Sequence, residues 1–293
     1  MKILVYGALN IDLVYKVDHI ARPGETIASI GFEKSAGGKG ANQAAALAKA
    51  GMDVSLAGKI GEDGLFLLEL LGSYGVNTEK VIIYGGATGQ ALIQVDRSGQ
   101  NSIILHAGGN GEIQKSEISR VLESFGMGDA VLLQNEIPLS GEIIGSAKER
   151  GMKVFLNPSP YDEGIEKMPL DQVDVFFLNE IEGAALASLP VGTAPPLALD
   201  RLTSRFPRAE IILTAGRDGA YYGKGRSRER AEIVSVPVVD TTGAGDTFTG
   251  FFLAARERQF PAAKALWLSC KAASIAVSRK GAMESIPFMD EVF

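Results

Sequence analysis

Cysteine is nearly absent: Cys270 is the only one in 293 residues. A single thiol excludes an intrachain disulfide framework and a cysteine-only metal site. With no oxidative staple, the expected compartment is a reducing cytoplasm. Histidine is scarce as well, with only His19 and His106. Two isolated histidines argue against a histidine-based metal centre, and none accompanies Cys270 as a base, so a small buried hydrophobe is its expected role. Clustered positive charge is missing. Lys and Arg number 29 against 35 Asp and Glu, a net charge of −6. No basic stripe offers itself to nucleic acid. Arg226, Arg228 and Arg230 alternate with Glu229 and read as a solvated loop. No apolar run approaches the ~20 residues of a membrane span. The opening MKILVYGALNIDL lacks the small-residue cleavage site of a signal peptide. Repeats and low-complexity tracts are also lacking.

Hydrophobic residues, in contrast, make up 46% of the chain. That suffices for the core of one large α/β domain spanning 1–293. From residue 113 onward, helical and strand patterns alternate. Strands are expected at 130–133, 153–156, 175–178 and 210–214, and helices at 117–125, 140–150, 182–189 and 197–206. Such a βαβ succession predicts a mainly parallel sheet with helices on both faces. Before it, 12–34 and 90–106 alternate apolar and polar residues in the manner of hairpins, the second turning at Arg97-Ser98-Gly99-Gln100.

Polar residues fall where strands end. Asn10 and Asp12 follow the first strand and share one face of an extended chain; a turn would use the same two residue types. Gln134-Asn135-Glu136, Asn157, Asn179 with Glu182, and Thr214 with Gly216 follow later strands. Ligands of open parallel sheets bind at such carboxyl ends. Two glycine turns run into helices. Gly37-Gly38-Lys39-Gly40-Ala41-Asn42-Gln43 is neither a Walker A loop nor GxGxxG, and a dinucleotide oxidoreductase is disfavoured because the first strand lacks GxGxxG and its acidic partner about 20 residues on. In Asp240-Thr241-Thr242-Gly243-Ala244-Gly245-Asp246, small residues open a helix whose N-terminal N–H groups make an anion site, with a carboxylate in its first turn. The helix dipole is expected to keep Asp246 ionised, hence a weak base.

These stretches, in this order and approximate spacing, resemble the ribokinase-like (PfkB) sugar kinases over essentially the whole chain, and are most similar to the ribokinase branch. The resemblance implies a ribokinase-like α/β fold with a small β-sheet lid formed by about 12–34 and 90–106. It also implies transfer of phosphate from ATP to the primary hydroxyl of a small sugar, D-ribose foremost, giving ribose 5-phosphate. Asp246 would be the base, and Gly243, Ala244 and Gly245 the anion hole. Asn10, Asp12, Gly38, Lys39, Asn42 and Glu136 match sugar-binding positions. Asn179 and Glu182 match the residues that handle the phosphates and Mg²⁺, and Thr214 and Gly216 part of the nucleotide site. Asp240, Thr242, Ala276, Arg279, Gly281 and Ser285 match a K⁺ loop. A homodimer through the lid is the further expectation. Two departures stand out: Gly109-Asn110-Gly111 replaces the more usual Ala-Asn-Ala, and a stretch from Pro190 to Pro196 replaces Leu-Thr-Gly after Glu182. A nucleoside or other sugar kinase, or a sugar-binding regulator without catalysis, are the competing readings. A nucleoside would need an apolar slot, for which the lid offers only Tyr15 and Phe32.

Overall fold

The computed structural model describes residues 1–293. Thirteen strands divide into two sheets. The large sheet contains β1 (Ile3–Tyr6), β4 (Val54–Ile60), β5 (Asn77–Ile83), β8 (Ala130–Gln134), β9 (Lys153–Asn157), β10 (Val175–Asn179), β11 (Glu210–Thr214), β12 (Ala220–Lys224) and β13 (Ser227–Ala231). The small sheet contains β2 (Asn10–Lys16), β3 (Gly31–Gly37), β6 (Gly89–Val95) and β7 (Asn101–His106). The helices are α1 (Lys39–Lys49), α2 (Leu65–Ser73), α3 (Lys115–Leu122), α4 (Ser140–Glu149), α5 (Glu180–Leu186), α6 (Pro195–Arg205), α7 (Ala244–Glu257) and α8 (Ala262–Val277).

The large sheet runs in the order β13-β12-β11-β10-β9-β8-β1-β4-β5. Only the β11–β12–β13 hairpin edge is antiparallel; every other neighbour pair is parallel. Side chains alternate across the pleat, so each central strand feeds two cores. Ile3 and Val5 enter one with α1, α2, α7 and α8, while Leu4 and Tyr6 enter the other with α3 to α6. Phe251 and Phe252 of α7 are completely buried, each contributing about 1.5–3 kcal/mol from apolar burial.

The chain order reverses beside β1, which pairs with β8 on one side and β4 on the other. A crevice at such a switch point is where open sheets bind ligands. The small sheet, ordered β3-β2-β6-β7, is rooted there through Asn10, the first residue of β2. Its outer residues Phe32, Ile103, Ile104 and Leu105 are all more than half exposed. Glu33 of β3 is gripped by Lys16 of β2 at 2.8 Å and by Lys280, beyond α8, at 2.7 Å.

One expectation changes. The Arg226–Arg230 stretch is no loop: Ser227–Ala231 forms edge strand β13, paired with β12, whose charged side chains face water while only Ala231 is buried. Alternation of like and unlike charges on an edge strand carries no apolar signal to betray it. Ile233, Val234, Val236 and Val238, which lead towards α7, line a hollow beside α8.

Candidate active site

Gly38 and Gly243 each precede a helix with positive φ, 90° and 73°. A side chain at either position would be strained; glycine lets the chain turn sharply into α1 and α7. The two helix starts thereby converge. Asn42 Nδ2 donates to Asp246 Oδ2 over 3.0 Å, and Gln43 Nε2 to Asp246 Oδ1 over 2.9 Å. The Lys39 backbone N–H donates to Glu136 Oε2 over 2.8 Å. Thus the helices that follow the glycine turns at 37–40 and 243–245 are joined by side-chain hydrogen bonds at their first turns.

Asp246 is buried, with 8% of its surface exposed. Burial pushes its carboxyl pKa above the ordinary carboxylate value, against the opposing pull of the Lys39 ammonium and the Gln43 and Asn42 amides. Burial here works against the helix dipole, which favours the ionised form. Asp12 moves the same way, to about 6, through burial and then the neighbouring Glu136 and Glu284 carboxylates. Burial likewise raises Glu136, with the Lys39 ammonium opposing it. Burial disfavours the charged form of Lys39, but Asp246, Glu136, Glu182 and Asp12 together outweigh it and hold the ammonium above its ordinary pKa.

Two cavities adjoin at the tip of α7. The first, of about 240 Å³, is polar; Lys39, Asn179, Glu182, Gly243, Ala244, Gly245 and Asp246 line it. The second, of about 550 Å³, is mostly apolar and is bounded by Ile233, Val236, Cys270, Ala273 and Val277. They share Thr214, Thr241, Ala244, Gly245 and Phe248, while Gly216 borders the apolar one. Cys270 is buried in its wall, as a small hydrophobe. Asn179 and Glu182 also cap α5 reciprocally: Asn179 Oδ1 accepts from the N–H groups of Ile181 and Glu182, and Glu182 Oε2 from that of Asn179. The cap fixes both side chains at the cavity's edge. The stretch from Pro190 to Pro196 lines neither cavity.

Asn10 and Asp12 stand at the root of the lid. Asn110 ties Asn10 down: it accepts from Leu9 N–H at 3.0 Å and donates to Leu9 O at 3.2 Å and Asn10 Oδ1 at 2.7 Å. The sequence marked Asn110 only as part of an unusual glycine loop. Its signal was an asparagine between two glycines, a type suited to bridging backbone and side chain.

Behind α7, two loops meet. Asp240 Oδ1 accepts from the Thr242 N–H and hydroxyl, and its Oδ2 from the Gly281 N–H at 3.0 Å. These bonds hold its carboxyl below the ordinary pKa although burial opposes them. Ser285 donates to Ala282 O. The side chain of Arg279 is turned to Glu291, so only its backbone is left for the loop. Asp240 and Asp246 therefore serve different neighbourhoods.

The pfkB family carbohydrate kinase pattern matches residues 1–289. The ribokinase of Haemophilus influenzae is 34% identical over 296 residues, covering 98% of this chain and 95% of that protein. The deoxyribokinase of Salmonella typhi is 31% identical, covering 99% of this chain and 97% of its own. The structure of Arabidopsis thaliana ribokinase complexed with ribose and ATP superimposes with a TM-score of 0.88 at 30% identity, over 99% of this chain and 96% of that one. The convergence of the two glycine turns on Asp246 is thus found in a chain that belongs to the pfkB family of carbohydrate kinases.

Proposed function

We propose that the protein is an ATP-dependent sugar kinase that phosphorylates the primary hydroxyl of D-ribose, giving ribose 5-phosphate. One observation carries the reading: Asp246 sits in the first turn of α7, its two oxygens bonded by Asn42 and Gln43 from the opposing glycine turn. The apolar hollow suits a nucleobase, and the polar cavity its phosphates. The first turn of a helix leaves N–H groups without helical acceptors, so Gly243–Gly245 presents donors to the transferring phosphoryl group. Sugar hydroxyls would be held by Asn10, Asp12, Gly38, Lys39, Asn42 and Glu136. Asp246 takes the proton from the primary hydroxyl as that oxygen bonds to the γ-phosphorus and the bond to the leaving ADP oxygen breaks. Such transfer is chiefly positioning and charge stabilisation. Lys39 lines the polar cavity beside Asp246, so its ammonium also serves the phosphoryl side.

No three His, Cys, Asp or Glu side chains cluster to hold a metal ion. That fits Mg²⁺, which takes most of its ligands from phosphate oxygens and water, with Glu182 contributing indirectly. When bound, it neutralises phosphate charge. Asp240, Thr242, Ala276, Arg279, Gly281 and Ser285 offer hard oxygen donors, mostly backbone carbonyls, of the kind K⁺ takes. A homodimer joined through the lid's exposed apolar residues, in the cytoplasm, completes the proposal, with 1–293 acting as one domain and lid.

The deoxyribokinase relative favours one second reading, transfer to 2-deoxy-D-ribose. A nucleoside is less favoured, because Tyr15 and Phe32 pair with each other at 5.0 Å instead of lining a slot. A coupled assay with D-ribose, 2-deoxy-D-ribose, fructose 6-phosphate and adenosine, each with and without K⁺, tests the proposal. Ribose is expected to give the highest kcat/KM, raised by K⁺. Preference for adenosine, or no transfer to any sugar, would overturn it.

A further inference from the structure

A line of side-chain amides, two of them fully buried, runs beneath Asp246. At its start the backbone carbonyl of Phe177 in β10 accepts from Asn157 Nδ2, at the end of β9, over 2.8 Å. A carbonyl can only accept, so this bond fixes which way the Asn157 amide faces. Asn157 Oδ1 is thereby turned towards Gln43, whose Nε2 donates to it at 3.1 Å and to Asp246 Oδ1 at 2.9 Å. The other end of the Gln43 amide must then be the acceptor: Gln134 Nε2, at the end of β8, donates to Gln43 Oε1 over 2.6 Å. The line ends at Gln134 Oε1, which has no hydrogen-bond partner. It lies over Gly7, where a Cβ would stand 2.1 Å from it. Gln43 and Gln134 are 0% and 1% exposed. Every amide in the line is thus oriented by its neighbour, from a backbone group that cannot be reversed.

We propose that Gln43 and Gln134 are positioning residues for phosphoryl transfer. Through Gln43 Nε2 they hold the Asp246 carboxylate in one orientation and favour its ionised form. Gln134 lines neither of the two cavities at the tip of α7; it acts by denying Gln43 the flipped arrangement that would aim Oε1 at the carboxylate. Deep burial makes such an amide worth more than at a surface, because Gln43 is fully buried and its hydrogen bond is formed away from bulk solvent. The charged groups facing Asp246 are the Lys39 ammonium of α1 and, around that ammonium, Glu136, Glu182 and Asp12. Asp240, on the same loop, is turned to Thr242 and Gly281. All of these charges are unchanged in a Gln134 variant.

This inference rests on Asp246 being the base, and the test separates the two. Turnover of D-ribose with MgATP is followed from pH 5 to 9 for the parent, Gln134→Met, Gln134→Glu and Asp246→Asn, with melting curves to confirm folding. Gln134→Met is expected to lower kcat about tenfold, to change the ribose KM by less than about threefold, and to move the acidic limb of the kcat profile to higher pH. Gln134→Glu replaces the donor by an acceptor, turns the Gln43 amide round, and moves that limb further. Should the buried carboxyl of Gln134→Glu prevent folding, Gln134→Met decides alone. An acidic limb of Gln134→Met that superimposes on the parent's, with Asp246→Asn inactive, overturns the positioning role and leaves the base standing. Near-parent turnover of Asp246→Asn overturns both.

Discussion

Ala46 and Gly250 touch where α1 and α7 cross: a methyl group on Gly250 would stand 2.6 Å from Ala46 Cβ. Each lies four residues, about one helical turn, beyond a member of the Asn42–Asp246 hydrogen bond. The close approach of the two helices is therefore what brings those side chains together. Gly250→Ala is expected to force the helices apart, at about 1–3 kcal/mol. Both the melting temperature and kcat should fall, since Asn42 and Gln43 withdraw from Asp246. Calorimetry and steady-state kinetics on one preparation check this; a stable variant of undiminished kcat would contradict it.

Asp246→Asn keeps the shape of the site and removes the proton acceptor. We expect kcat to drop roughly 10²-fold or more, with ribose affinity by calorimetry changed only severalfold. A large loss of affinity at preserved turnover would place Asp246 in binding instead of catalysis.

Asp12, with its carboxyl raised to about 6, makes sugar binding pH-dependent. If the ionised form accepts the sugar hydroxyls, affinity rises as pH rises through 6 and levels off above it. Binding at pH 5 should be about tenfold weaker than at pH 7. The sign for stability is opposite. Between the unfolded value, 3.8, and about 6 the sugar-free native state holds a proton that the unfolded state has lost, so this group's contribution to stability falls as pH rises through that window. Titration calorimetry and thermal melts of the parent and Asp12→Asn separate the two effects; the variant should show neither pH trend from this group.

Asn110→Leu leaves the Leu9 N–H and C=O and Asn10 Oδ1 without their buried partner. Unpaired buried groups cost about 1–3 kcal/mol. The expected outcome is a lower melting temperature and a raised ribose KM, with kcat changed much less because Asp246 is untouched. Equal losses in kcat and kcat/KM would show that Asn110 serves the transition state.

Much of this was legible in the chain. β7 and β11 lie within the bounds that alternation and turn residues implied, or at them, because each has a clean period and a punctuated end. Other helices, such as α3 and α5, begin two residues earlier than their apolar pattern does, since capping residues are polar. β13 was hidden by its charges. The two glycine motifs were legible as helix entries, but the hydrogen bonds that join them were not. Nothing local reveals that Gln134 bonds to a side chain 91 positions away, or that burial raises the Asp246 carboxyl. Hydrogen-bond direction and solvation are properties of the assembled interior.

The Asn42–Asp246 pairing spans 204 positions of sequence, and this bears on how the molecule is made. Synthesis runs from the N-terminus at about 5–20 residues per second, so α1 emerges on the order of ten seconds before its partner helix. Throughout that interval the alanine-rich face of α1 that α7 later covers has no partner from its own chain. The nascent protein therefore passes through a long stage with most of its sheet made and no complete active site. Chaperone capture and aggregation would act on that stage, and substitutions that weaken the α1–α7 contact should lower the yield of folded protein before any loss of activity in the mature enzyme is seen.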